Sequence, residues 1–257
     1  MKTAGQQNLL AAALPSTSIR LWLKGSIACA LAIMLALGTS RAIATDTSVT
    51  AIDILLKPDA TMIQRATATN DRLRKVFPQG FALDATHRPH ITLVQRFVLT
   101  ENLDKVYAAV GKVFASANVT GLKLEAFKYY YIPDKDLGLS GIVIQPTPEL
   151  LKLEQQVIDA VTPFAVKTGT SAAFVTTPED PDVLPALITY VSEFVPKHSG
   201  ENYHPHVTTG LAPREYLDKM LKEPFEAFTF SPAGAAIYHI GHYGTAAKKL
   251  KEWDLKP

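Results

Sequence analysis

HRPHITLVQRF, residues 87–97, sets two histidines around a proline at the mouth of an apolar run that reads as a β-strand. NYHPHVTTG, residues 202–210, repeats its centre: Pro-His-Ile-Thr in one, Pro-His-Val-Thr in the other. Side chains two apart on a strand project to one face, so His90 pairs with Thr92 and His206 with Thr208, an imidazole beside a hydroxyl each time. A bare His-x-Thr is weak evidence in a chain with this many threonines. The shared proline, the β-branched residue between and the matching downstream order make the echo specific.

That order is read outward from the motifs. VTAIDILL (49–56) predicts a strand, and DATMIQRATATNDRLRKVF (59–77) a helix capped by Asp59. HITLVQRFV (90–98) predicts a strand, followed by a helix over 100–117 that Thr100 caps. Two strands, 122–132 and 139–145, follow around the turn Pro133-Asp134-Lys135-Asp136, and Thr147-Pro148-Glu149 opens a helix to about Val161. In the second half a helix over ALITYVSEFV precedes the strand PHVTTGLA. A helix over PREYLDKMLKE, the strands FEAFTFS and GAAIYHIGHYG, and a basic tail, TAAKKLKEW, complete the chain. Each motif strand is thus followed by a helix and two strands, which predicts an internal duplication within one α+β unit. If the halves meet about a pseudo-twofold axis, the four motif side chains converge on one cleft.

The first 44 residues stand apart. They carry Lys2, Arg20, Lys24 and Arg41, no acid, the apolar run GSIACALAIMLALG and then Ala42-Ile43-Ala44, the pattern of a cleaved secretory signal. The expectation is a signal peptide over 1–44, a single bilobal domain over 45–257, and a secreted or periplasmic protein without stable membrane association after cleavage. Four of the 26 basic residues and none of the 24 acids lie in the signal, so the remainder holds 22 basic residues against 24 acidic. A surface without a positive surplus argues against long nucleic acid and for a small substrate or a strand end. Cys29, the one cysteine, lies in the signal, which leaves the expected mature chain no disulfide, thiol nucleophile or cysteine ligand.

HITL, HVTT and the duplicated β/α layout resemble the 2H phosphoesterase superfamily, which includes 2'-5' RNA ligase-like proteins and 2',3'-cyclic nucleotide phosphodiesterases. The resemblance spans roughly 49–243, and GTAAKKLKEWDL resembles the C-terminal part of exported bacterial members. It implies two antiparallel sheets forming a central cleft with helices on the outer faces, and His90, Thr92, His206 and Thr208 at the floor. Residues 170–200 stand as an insertion, and Thr209 occupies a position where an aliphatic residue is usual.

Opening a cyclic phosphodiester with water needs a base for the water, an acid for the departing ribose oxygen, and donors for the phosphoryl oxygens. Two imidazoles suit the first two tasks and two threonines the third, with no metal or other cofactor required. The resemblance implies a 2'-phosphate product; the sequence leaves open which histidine is the acid. Arg96, four residues beyond Thr92, is a candidate phosphate contact on the same strand face. Tyr130, within Tyr129-Tyr130-Tyr131, is a candidate surface for stacking a base. The expected protein is a monomer acting on 2',3'-cyclic nucleotides or RNA ends. Two alternatives stand beside it: a phosphate-binding protein without turnover, and a zinc site gathered from His87, His90, His204 and His206.

Overall fold

VTAIDILLKP forms β1 (Val49–Pro58), buried along most of its length because it lies between two other strands. The computed structural model describes residues 48–178 and 180–255; the proposed signal segment lies outside them. β1 pairs with β2 (Ile91–Leu99) and β8 (Pro232–Ile240). β5 (Ala165–Val166) and β9 (Ala246–Trp253) extend this sheet to β5-β2-β1-β8-β9. A second sheet has the order β6-β4-β3-β7, from β3 (Leu124–Asp134), β4 (Leu137–Ile144), β6 (His206–Pro213) and β7 (Phe228–Phe230). Every pairing among the described strands is antiparallel, and the fold is α+β as expected.

The two halves of the sequence exchange hairpins. β3 and β4, which follow the first motif, build the sheet of the second motif strand. β8 and β9, which follow the second motif, complete the sheet of the first. Each sheet therefore needs residues from both halves.

Among the described residues the α-helices that connect the strands are α1 (Ala60–Val76), α2 (Leu103–Ser116), α3 (Pro148–Val161), α4 (Pro185–His198) and α5 (Arg214–Met220). Asp59 caps α1 by accepting from the amides of Thr61 and Met62, and Thr147 caps α3 by accepting from Leu150. One core runs through β1 (Ile52, Ile54, Leu56), α2 (Val106, Val110, Phe114), α3 (Leu153, Val157) and the second sheet (Ile142, Val207). Each fully buried aliphatic of this kind contributes about 1.5–3 kcal/mol.

Three expectations at element ends are corrected. Thr100 does not cap α2; it begins a 3-10 turn, and its hydroxyl bonds to Thr50 instead. Phe225–Glu226–Ala227 is not strand, so β7 is only three residues long. The basic tail is the strand β9, at the edge of its sheet, where Lys248, Lys249 and Lys251 are accommodated. Among the described residues no helix is long and apolar enough to cross a membrane.

Residues 170–178 and 180–184, in the leading part of the expected insertion, lie against the first sheet and are fastened by three histidines. His239 Nε2 donates to Ala173 O (2.7 Å), His242 Nδ1 donates to Asp182 O (2.6 Å), and His87 Nε2 lies 3.3 Å from Asp180. α4 follows; its Leu187 and Val191 pack on Ala51, Phe97 and Ile240.

Candidate active site

Both motif strands carry a β-bulge at the same place. In β2, Leu55 pairs with Thr92 and Ile54 with Val94, leaving Leu93 as the extra residue. In β6, Gly141 of β4 pairs with Thr208 and Ser140 with Gly210, leaving Thr209 extra. The residue after each motif threonine is therefore squeezed out of the ladder, as at many sites where a side chain must be re-aimed. Thr209 differs from the expected aliphatic residue because its buried hydroxyl donates to Ser140 Oγ (3.2 Å). Gly210 has φ +135°, with the Asn70 side chain where a Cβ would go, so glycine is required there. Asn70 of α1 also donates to Thr209 O (2.9 Å), clamping the bulge.

The bulge overturns one prediction. An extra residue flips the alternation, so Gln95, not Arg96, returns to the Thr92 face. Both Thr92 and Gln95 indeed donate to Asp53 Oδ2, at 2.8 and 2.9 Å, and Arg96 points to the opposite face. Burial lowers the Arg96 pKa, and Arg96 does not line the cavity that holds the motif residues.

His90, Thr92, His206 and Thr208 line one cavity of about 240 Å³, together with Gln95, Leu139 and Tyr190. The two histidines are held identically. Nδ1 of His90 donates to Arg88 O (2.6 Å) and Nδ1 of His206 to His204 O (2.8 Å), each to the carbonyl two residues back. A carbonyl only accepts, so Nδ1 carries a proton in both and Nε2 is left as the working nitrogen. Tyr203 ties the motifs together, its buried hydroxyl donating to Thr92 O (2.6 Å).

Beyond this shared frame the two imidazoles differ. His90 Nε2 lies 3.3 Å from the fully buried Asp53 Oδ2. Burial alone pushes the His90 pKa down, but the hydrogen bond and charge of Asp53, with the Arg88 carbonyl, outweigh it and the net direction is up. His206 has no such carboxylate against it; Tyr130 meets its ring edge-on, centroids 4.9 Å apart. Burial drives the His206 pKa down to about 4, with the positive charge at His90 acting in the same direction. Among the described residues the Thr208 hydroxyl has no hydrogen-bond partner, whereas that of Thr92 is engaged by Asp53.

Tyr130 is thus at the site, whereas Tyr129 packs on Phe225 and Tyr131 donates to Asp218. Gly141 makes the room: a Cβ there would meet the Tyr130 ring at 2.5 Å. Tyr130, Tyr190, Phe194, His198 and Tyr203 wall a second cavity of about 340 Å³ that shares Thr92 and His206 with the first. His204 lines this second cavity too, but His87 does not join the zinc set expected as an alternative. It lies between Asp84 and Asp180, stacked on Phe81. No group of three or more His, Cys, Asp or Glu side chains stands placed to hold a metal ion among the described residues.

Asp53, Gln95 and Tyr190 were not singled out from the sequence. Asp53 did leave a trace, as the one charge inside the apolar VTAIDILL. Tyr190 sits in a helix whose period predicts only its own amphipathic packing.

No protein-family model matches the chain, and no curated protein matches it in sequence. Among solved structures, the chain is similar to TT0787 of Thermus thermophilus, with 14% identity over 80% of this chain and 98% of that one, TM-score 0.47. It is similar to LigT of E. coli complexed with ATP, with 14% identity over 82% and 100%, TM-score 0.39. It is also similar to Usb1 of Kluyveromyces marxianus, with 10% identity over 80% and 99%, TM-score 0.39. All three are distant likenesses of fold.

Proposed function

We propose that the chain is a 2H phosphoesterase-like, metal-independent phosphodiesterase that opens 2',3'-cyclic phosphates of nucleotides or RNA ends and leaves a 2'-phosphate. The observation that carries this reading is the pair of histidines, each with Nδ1 spent on a backbone carbonyl, that line one cavity with opposite protonation tendencies. Hydrolysis of a cyclic diester needs that combination, one group that holds a proton and one that can take it.

His206, neutral above about pH 4, takes the proton of the attacking water through Nε2. His90, kept protonated by Asp53, turns its Nε2–H from Asp53 Oδ2 to the 3'-oxygen and gives up that proton as the P–O3' bond breaks. The ring opens, the attacking oxygen stays on phosphorus, and a second cycle begins once the two protons are exchanged with solvent. Thr208 donates to a non-bridging oxygen. Thr92 does so once its hydroxyl turns from Asp53, offsetting charge that grows in the transition state. Tyr130 and the aromatic wall beside His206 receive the base.

The test is incubation of 2',3'-cyclic nucleotides with the protein in excess EDTA and identification of the product. A 2'-phosphate at an undiminished rate agrees with the proposal. A 3'-phosphate would contradict the assigned bond cleavage, activity lost on chelation would point to a metal, and calorimetric binding without turnover would make the protein a binder. Export of the chain and its freedom from membranes after cleavage are part of the same proposal, motivated by the signal-like residues 1–44, and a monomeric state is proposed with them.

A further inference from the structure

The two bulges place the motifs in a residue-by-residue correspondence across the sheets. Thr92 pairs with Leu55 and Thr208 with Gly141; beyond each bulge, Gln95 pairs with Asp53 and Leu211 with Leu139. The position beneath His90 that holds an acid and an amide thus holds two leucines beneath His206. The sheets are alike in backbone and unlike in this one polar pair.

Asp53 is fully buried on β1, and a buried charge must be compensated to persist. Its Oδ2 collects three partners, Thr92 Oγ1 at 2.8 Å, Gln95 Nε2 at 2.9 Å and His90 Nε2 at 3.3 Å, whereas Oδ1 has none among the described residues. A carboxylate oxygen only accepts. With Nδ1 of His90 already donating to Arg88, a donor at Nε2 requires a second proton, so the Asp53 contact favours the imidazolium. At His206 the corresponding leucine pair offers no acceptor, so Nε2 keeps its lone pair.

We infer that Asp53 is the positioning residue that makes the two histidines unequal, fixing His90 as the proton donor and leaving His206 as the acceptor, and so setting which way round the cyclic phosphate reacts. This rests on the proposed hydrolysis for its consequence, though not for its geometry. The titratable groups around His90 are Asp53 on β1, in contact with its ring, and His206 on β6, Tyr190 on α4, Asp134 on β3 and Tyr243, which line the same cavity. Of these only Asp53 sets a charged atom against the His90 ring, and it is the one that the second sheet lacks.

Two substitutions test this in the whole protein: Asp53→Asn, which keeps shape and removes the charge, and Leu139→Asp, which builds the missing acid under His206 at a half-buried position. Imidazole nitrogen resonances are followed by NMR against pH without substrate. Asp53→Asn is expected to lower the His90 midpoint by about one pH unit or more and to leave His206 within a few tenths. Leu139→Asp is expected to raise the His206 midpoint by a similar amount. In turnover, Asp53→Asn should move the basic limb of kcat/KM down with the His90 midpoint and lower kcat more than it changes KM. An unmoved His90 midpoint in a folded Asp53→Asn protein overturns the inference. Should Asp53→Asn not fold, an unmoved His206 midpoint in Leu139→Asp overturns it equally. Shifted midpoints in a protein that hydrolyses no cyclic phosphate would uphold the role of Asp53 and refute the hydrolysis.

Discussion

Glu154 on α3 is 1% exposed, and its Oε2 accepts from the Gly200 amide (3.1 Å); among the described residues Oε1 has no partner. Gly200 (φ +59°) begins the turn that leads through Asn202, Tyr203 and His204 into the second motif, so this carboxyl holds a segment of the site. Burial raises the Glu154 pKa from 4.5 to about 7, only partly opposed by the Gly200 amide. Between those values the folded protein binds a proton that the unfolded chain has released, so stability falls as pH rises, by up to 1.36 kcal/mol per pH unit. Over that span the loss sums to about 3 kcal/mol. It is absent below the unfolded value and complete above about pH 7.

Glu154→Gln removes this titration. Its amide, like Oε1, lacks a partner, which costs about 1–3 kcal/mol at every pH and leaves the slope to decide. Urea unfolding at pH 4.5, 6 and 8, with the slope of ΔG against denaturant checked for constancy, measures it. The expected result is that wild type minus Glu154→Gln falls by about 3 kcal/mol from pH 4.5 to 8. A difference that stays constant within about 0.5 kcal/mol would show that Glu154 does not titrate on unfolding in this range.

Two more predictions concern the cleft. The kcat/KM profile for a 2',3'-cyclic nucleotide should rise through an acid limb near pH 4, where His206 loses its proton, and fall through a basic limb above 6.5, where His90 does; an acid limb above pH 6 would contradict the assignment. Arg96→Met, on the far face of β2, should leave kcat/KM within about twofold, and a loss of about tenfold or more would place Arg96 at the phosphate.

Much of this site was legible because it depends on local rules. His90 with Thr92 and His206 with Thr208 follow from strand alternation over two residues, and the caps at Asp59 and Thr147 follow from chemistry within one turn. What the sequence concealed depends on pairing across the sheets. Nothing in Leu93 or Thr209 announces a bulge, since that is a property of the partner strands' register, and the bulge is what turned Arg96 away and Gln95 inward. Asp53 and Gln95 lie 42 residues apart and meet only through the β1–β2 ladder. The lysines of β9 suggested a solvated tail because an edge strand tolerates them as readily as a tail does. His239 and His242 had no partner within reach along the chain; they bond to the backbone carbonyls of Ala173 and Asp182.

The central claim, that His90 and His206 act as one acid–base pair, is tested most directly by turnover of a 2',3'-cyclic nucleotide in EDTA by His90→Ala, His206→Ala and the double variant. Each single variant should lose about 10²–10⁴-fold in kcat. The double should lose little more than the worse single, because groups that act as a unit are not additive. Single variants that keep wild-type kcat, with fold verified by circular dichroism, would contradict the account.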